Sequence, residues 1–103
     1  MDDVRIYSGT LIADLIMTEA RTLKDKRGPL RALVQKLKNQ GFAVAQVGPA
    51  ELIQRCFLAV GAVANEESLA DGLLDAAERI IFASEFEVGD LRRDMHVETF
   101  HSG

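Results

Sequence analysis

Positive charge is concentrated in one short segment of this acidic chain. Seven of the twelve lysine and arginine residues lie between Arg21 and Lys38, a segment with a single acidic residue, Asp25. The segment therefore carries a charge of +6, and because the whole chain carries −4, the remainder carries −10. Clustered lysines and arginines neutralise phosphates and release their counterions, and such a patch acts within about 8–10 Å whatever the net charge. The chemistry that this segment favours is phosphate binding.

Helical phase places four of these cations in one row. On a continuous helix with about 100° per residue, they fall about 60–120° from Leu30. We call these four residues the basic row and take them as the candidate nucleic-acid-binding residues: Lys24, Arg27, Arg31 and Lys38. Lys36 falls on the far side of the same helix.

A second predicted helix carries a corresponding row of acidic residues: Glu67, Asp71, Asp75 and Glu78. If both helices cover the same face of a sheet, the two rows lie side by side and form ion pairs between the helices. Exposed pairs of this kind contribute roughly 0–1 kcal/mol each. The alternative to a phosphate-binding surface is therefore a pair of solvated helix faces that serve only solubility.

Other residue types that could support catalysis or bind a metal form no recognisable site. His96 and His101 lack neighbours at the spacing of metal ligands, and Cys56 begins an apolar stretch typical of a buried, inert thiol. The chain has neither a phosphate-binding glycine loop nor a serine elbow. Several carboxylates have no evident partner and are expected to be solvated: Asp14, Glu51, Glu85 and Glu87. The sequence predicts a protein that is not an enzyme, with no metal, cofactor or small-molecule substrate.

The aromatic residues are few, and none is tryptophan. RNA-recognition domains stack bases on paired aromatic side chains of an open sheet face. Tyr7 and Phe57 are the candidates for such a pair, but the leucine, valine and alanine residues around them favour packing instead.

The first half of the chain reads as a strand, a helix and a second short strand. The strand is expected over Val4–Met17, and the helix begins at a capping box of Thr22 and Asp25. Pro29 either kinks this helix or restarts it, and one kinked helix is favoured because Leu23 and Leu30 stay in phase. The helix ends at Gly41, and its apolar face consists of Leu23, Leu30, Leu33, Val34 and Leu37.

The second half of the chain again contains a strand, a helix and a strand, and it follows the short second strand. A strand is expected over Phe42–Val47, a central strand over Cys56–Ala64, and between them a loop or single helical turn over Ala50–Gln54. Asn65 is the expected cap of the second helix. Its predicted buried stripe is Leu69, Leu73, Ala76, Ala77 and Ile80, and the chain is extended again from Phe86, with a bulge or turn at Gly89-Asp90 before Leu91–Phe100.

The order β-α-β-β-α-β predicts one domain over residues 1–103, of the α+β class. Two crossovers around a hairpin give a ferredoxin-like four-stranded antiparallel sheet with both helices on one face. The first and third strands are apolar on both faces, which is more than two helices can cover. We therefore expect a homodimer that uses the open sheet face or an edge strand.

Two segments carry a resemblance to a known family. Thr22-Leu23-Lys24-Asp25-Lys26-Arg27 resembles the Ser-Leu-Lys-Glu-Lys-Arg signature of YlxP-like proteins, small bacterial proteins of unassigned function, and Ile53-Gln54-Arg55 lies where that family typically shows Trp-Gln-Arg. The resemblance covers nearly the whole chain and implies a ferredoxin-like fold in the bacterial cytoplasm. It also implies an RNA or ribosome context, because genes of the family often neighbour translation and ribosome-maturation genes. The chain departs from the pattern at Ile53, at Pro29 and in a longer stretch before the last strand.

Composition agrees with a cytoplasmic location. The longest apolar runs are too short to span a bilayer, the amino terminus lacks a signal-peptide pattern, and the single cysteine excludes an internal disulfide. We therefore expect a cytoplasmic, non-enzymatic protein that binds RNA or a ribosomal surface through the basic row. A purely structural or protein-binding homodimer is the second interpretation, and a small-molecule enzyme or sensor is the third.

Overall fold

Six elements alternate along the chain in the order that the sequence predicts. The computed structural model describes residues 3–101, so the first two and last two residues of the predicted domain lie outside the described residues. The elements are β1 (Asp3–Ile16), α1 (Leu23–Asn39), β2 (Ala43–Val47), β3 (Arg55–Ala64), α2 (Glu67–Phe82) and β4 (Glu87–His101). In the described part of the chain, neither helix is long and apolar enough to cross a membrane.

The four strands form one antiparallel sheet in the order β2-β3-β1-β4. β3 is central, as its continuous apolar sequence predicts, and lies between β1 and β2. Both helices pack on one face of this sheet, so the predicted ferredoxin-like α+β fold is confirmed. The core between them is built from leucines of both layers, among them Leu11, Leu15, Leu37, Leu58 and Leu74.

Helix α1 begins and ends as its sequence predicts. Asp25 N–H donates to Thr22 Oγ1 at 3.3 Å and Thr22 N–H donates to Asp25 Oδ2 at 3.1 Å, which completes the capping box. The helix continues through Pro29, so the alternative of a restart there is wrong. At the other end Gly41 adopts φ +94°, and its N–H and that of Phe42 satisfy the carbonyls of Lys38 and Leu37.

Helix α2 differs from its prediction in cap and in phase. Asn65 is not the cap: the cap position is Glu66, whose side chain makes no capping hydrogen bond. Of the predicted stripe, Ala77 is buried as expected, whereas Leu69 is 50% exposed. The fully buried residues are Ala70, Leu74, Ala77 and Ile81, and the predicted Leu73, Ala76 and Ile80 are only partly buried. The sequence contains two adjacent apolar rows, and the buried row is the one whose Leu74 packs against Gly9 of β1, where the helix approaches the sheet closely.

Beyond the end of β3, strands β1 and β4 continue together as a two-stranded ribbon. Ala64, the last residue of β3, lies opposite Tyr7, so Asp3–Ile6 pair only with Glu98–His101. The ribbon makes the molecule 58 Å long with a radius of gyration of 15.8 Å, against about 13 Å for an ordinary domain of this length. At the opposite end of β4 the register shifts between Asp14 and Leu15, which confirms the predicted bulge at Gly89.

Candidate nucleic-acid interface

The basic row lies on the exposed side of α1. Because α1 is one continuous helix, the phase assumed from the sequence holds from Lys24 to Lys38. All four side chains are exposed, and within residues 3–101 none of them forms an ion pair. Lys36 is exposed as well, on the far side of the helix. The structure thus brings together the surface that the sequence analysis proposed, while its contact with nucleic acid stays a prediction.

Lys26, in contrast to its neighbours in the basic segment, is buried. Only 3% of the residue is exposed, and Nζ donates to the backbone carbonyls of Leu52, Arg55 (3.1 Å) and Ala50 (3.4 Å). An ammonium group has three donors, so these carbonyls satisfy it completely. This role was not predicted from the sequence, although the helical phase of Lys26 lies between those of the buried Leu33 and Leu37. One cation of the segment therefore stabilises the fold and is not available to a phosphate.

A shallow groove of about 410 Å³ runs beside the basic row, between the first turns of α1 and the β2–β3 connection. Arg27 reaches it from the row, and Glu51 lies on the opposite wall. Leu23, predicted to be buried, is the first residue of the helix and is 38% exposed on the edge of the groove. The groove therefore has an apolar wall that includes Leu23 and Leu30, next to the exposed cations of the basic row.

Three residues of the acidic row of α2, Asp71, Asp75 and Glu78, contact strand β4 and not α1. Arg93 of β4 donates to Asp75 Oδ1 at 2.6 Å, to Glu78 Oε2 at 2.8 Å and to the carbonyl of Asp71 at 2.9 Å. The hydrogen bond to Asp75 is the main reason why the pKa of the Arg93 guanidinium is raised. Within residues 3–101 no ion pair joins the two helices, so the predicted pairing of the two rows is wrong. The basic row is consequently not neutralised by its acidic counterpart.

Asp14, predicted to be solvated, is buried in an ion pair on the open face of the sheet. Arg55 donates from Nε to Asp14 Oδ1 at 2.8 Å and from a terminal nitrogen to Oδ2 at 2.6 Å, a two-pronged geometry. The guanidinium also lies over the ring of Phe57, 5.6 Å from its centroid. The partner was not evident from the sequence because 41 positions separate the two residues and only the strand register brings them together.

This ion pair predicts a specific response to acid. The hydrogen bonds from Arg55 hold the pKa of Asp14 below its usual value of 3.8. A carboxyl whose pKa is lowered on folding stabilises the protein above its unfolded pKa, and this contribution disappears as the pH falls through the folded pKa. Asp14→Asn should therefore lower the midpoint of urea unfolding at about pH 7, and the difference from the unaltered protein should narrow below about pH 4. A difference that stays constant across this range would show that the charge of Asp14 is not involved.

The two segments that carry the family resemblance meet in space. Gln54 donates from Nε2 to the carbonyls of Thr18 at 2.9 Å and Ala20 at 3.0 Å, and its own carbonyl accepts from Met17 N–H at 2.9 Å. Lys26 donates to the carbonyls of Leu52 and Arg55, which lie close to Gln54 in the chain. Much of the signature therefore fastens the β1–α1 loop and the β2–β3 connection to each other, and only its exposed cations remain for a partner.

The remaining candidates take no part in this surface. Tyr7 and Phe57 face opposite sides of the sheet, since Tyr7 shares the parity of the buried Leu11 on β1 whereas Phe57 lies opposite Asp14, so they form no stacking platform. Cys56 is fully buried, and burial raises the pKa of its thiol. Among residues 3–101 no group of three potential ligands could hold a metal ion.

Fold and surface together define a class: a small ferredoxin-like α+β protein whose first helix displays an exposed row of cations. Residues 9–93 match the family described as "Protein of unknown function (DUF503)", and because this range covers most of the chain, the protein belongs to that family. Among curated proteins, none matches the sequence.

Solved structures with a similar fold include natural and designed proteins. The de novo designed protein Foldit4 is 9% identical with a TM-score of 0.47, over 94% of this chain and 99% of that one. A structural-genomics protein, YJCS, is 12% identical with a TM-score of 0.44, over 84% and 96%. The regulatory subunit of aspartate kinase from Thermus thermophilus is 16% identical with a TM-score of 0.43, over 94% and 60%. At these scores the similarities carry no functional argument.

Proposed function

We propose that this protein is a non-enzymatic, cytoplasmic binding protein that contacts RNA or a ribosomal surface through the basic row. The observation that carries the proposal is the set of four exposed cations on one side of α1, none of them in an ion pair within residues 3–101. The resemblance to YlxP-like proteins, with its implied ribosomal context, supports the same assignment.

The charges around the basic row favour a phosphate partner. The nearest carboxylate in sequence, Asp25, is held by the backbone N–H groups of Arg21 and Thr22, which lowers its pKa. Three carboxylates of α2, those of Asp71, Asp75 and Glu78, are held by Arg93 of strand β4. From Lys24 to Lys38 the row spans about 21 Å at 1.5 Å per residue, which is long enough to contact several phosphates of one strand.

The decisive test is the double substitution Lys24→Glu with Arg31→Glu. Affinity for a single-stranded RNA oligonucleotide, and for purified ribosomal subunits, should fall at least tenfold, because two attractions become repulsions. The free energy of unfolding should change by no more than about 0.5 kcal/mol, since both side chains are solvated. For the unaltered protein, log affinity should fall with log salt with a slope of roughly −3, from about −0.7 for each of four phosphates.

Lys36 provides the matched control on the same helix. Lys36→Glu makes the same change of charge as Arg31→Glu but on the far side, so it should weaken binding less. Equal losses would indicate a diffuse charge effect without a defined surface, and an unchanged affinity in the double variant would refute the nucleic-acid proposal. Substitutions of Asp71 or Asp75 are unsuitable controls, because they would also release Arg93.

A further inference from the structure

Strand β4 is a long edge strand with one free side. It runs from Glu87 to His101 and, within residues 3–101, pairs with β1 alone, whereas the other edge strand, β2, has only five residues and is followed by Gly48-Pro49. Exposed edges of this length are templates for pairing with another strand. Two large apolar residues of β4 are also exposed, Val97 at 47% and Phe100 at 62%. A second strand beside β4 would therefore satisfy its unpaired backbone groups and cover its exposed apolar side chains.

The alternation of backbone hydrogen bonds restricts how two copies of β4 can pair. In an antiparallel ladder every second residue directs its N–H and C=O toward one neighbour, and the residues between direct theirs to the other side. Two identical free edges can therefore pair about a two-fold axis only when the axis passes through a residue position. In every such register, residues of the same sheet face lie opposite each other.

Charge selects among these registers. With the axis at Met95, Arg92 lies opposite the second copy's Glu98 and Asp94 lies opposite the second copy's His96. The two-fold axis repeats each contact, so two pairs of opposite charge (Arg92 with Glu98) and two hydrogen-bonding pairs (Asp94 with His96) form. No like charges face each other. Most other registers bring like charges together, since an axis at Arg92, Arg93, Asp94 or Glu98 places that residue opposite itself. An axis at Leu91 avoids repulsion but pairs only residues 87–95 of each copy. An axis at His96 places Asp94 opposite Glu98 of the second copy, so two like charges face each other. An axis at Val97 avoids repulsion, but it pairs fewer residues and loses the contact between Arg92 and Glu98.

We propose that two copies of this chain associate through β4 in the antiparallel register centred on Met95, forming one continuous eight-stranded sheet. The proposal is independent of the RNA-binding function. It covers Val97, which faces Arg93 of the second copy, and brings Phe100 diagonally beside the second copy's Arg92.

The projecting ribbon gives a second, separate reason for this pairing. Its outer end, Glu98–His101, has only Asp3–Ile6 beside it, and a two-stranded ribbon alone is marginally stable in water. In the Met95 register this end lies against Gly89–Arg92 of the second copy and gains a third strand. The dimer thus supports the part of the fold that the monomer leaves without a neighbour.

Cysteine trapping tests the register directly. In the proposed dimer the two Met95 residues are directly opposite, and their Cα atoms are about 4.5–5.5 Å apart, within the range of a disulfide. Met95→Cys should form a covalent dimer under mild oxidation, whereas Val97→Cys, with its two copies about 14 Å apart, should stay monomeric on a non-reducing gel. The native Cys56 is buried and does not interfere. Cross-linking of the Val97 variant, or of neither variant, would overturn the proposed register.

A charge exchange tests the same register without altering packing. Arg92→Glu should raise the dimer dissociation constant about tenfold, because glutamates then face each other at both ends of the ladder. Adding Glu98→Arg to this variant should restore the dissociation constant to within about threefold of the original. Sedimentation equilibrium measures both. Failure of the second change to rescue, or an unaltered protein that is monomeric at about 100 μM, would refute the pairing.

Discussion

Replacing Lys26 with methionine is expected to lower the free energy of unfolding by about 2–3 kcal/mol, although the substitution adds no bulk and removes a charge from the interior. The reason is the three backbone carbonyls that Nζ satisfies, those of Ala50, Leu52 and Arg55. Methionine occupies the space of the buried lysine side chain but donates no hydrogen bond. The three carbonyls therefore lose their donor at a place that water barely reaches. Removing one partner of a buried polar contact costs far more than removing both.

Lys24→Met is the matched control for this substitution. Lys24 stands two residues earlier on the same helix and has the same stem and charge, but its side chain is exposed. Its replacement should change stability by no more than about 0.5 kcal/mol. Urea unfolding followed by circular dichroism gives both values, and amide exchange in residues 48–55 should accelerate only in the Lys26 variant. Equal, small effects in both variants would mean that the three carbonyls find other donors.

Gly9→Ala is expected to cost about 1–3 kcal/mol, the largest effect foreseen for the addition of one methyl group. A Cβ atom at this position in β1 would lie 2.7 Å from Leu74 Cδ1 and 3.1 Å from Leu74 Cγ. Leu74 is fully buried in the centre of α2, so its side chain has little room to move away. The helix must therefore rise from the sheet or Leu74 must leave its preferred rotamer.

Gly72→Ala provides the opposite expectation in the same pair of elements. A Cβ atom there meets nothing within 4 Å, and alanine is favoured over glycine inside a helix by about 0.5–1 kcal/mol. This variant should be more stable than the unaltered protein, and Gly9→Ala less stable, by thermal or urea unfolding. A Gly9 variant of unchanged stability would show that the close approach of α2 to β1 is not tightly packed.

The fold could be predicted from the sequence because its local signals agree with its global arrangement. The capping box at Thr22, the glycine at position 41 and the continuous apolar strand β3 each determine one element, and the element order then leaves one common topology. The predictions of the cap and of the helical phase of α2 were wrong for a different reason. Its two adjacent apolar rows are nearly equivalent in the sequence, and the close packing of Leu74 against Gly9 of β1, which favours one row, depends on residues far apart in the chain.

The candidate site was predictable only in part, since helical phase reports what shares a face but not what lies opposite it. Exposure of the basic row followed from the apolar stripe of α1. The pairing of Asp14 with Arg55, and of Arg93 with the acidic residues of α2, depends on contacts between distant segments that no local pattern encodes. The burial of Lys26 could have been predicted from its position on the apolar face of α1. A lysine at such a position is, however, ordinarily expected to extend its amine to solvent.

The buried anchoring of Lys26 also sets the rotation of α1 about its own axis. An apolar stripe alone tolerates several degrees of roll, because leucine side chains can adjust their rotamers to a turned helix. Three carbonyls converging on one nitrogen tolerate much less, since a roll of the helix would lengthen or bend at least one of the three hydrogen bonds. The angular orientation of the exposed cations is therefore fixed from the β2–β3 connection. Substitutions in that connection, on the opposite side of the helix from Arg31 and Lys38, could redirect these side chains without touching them.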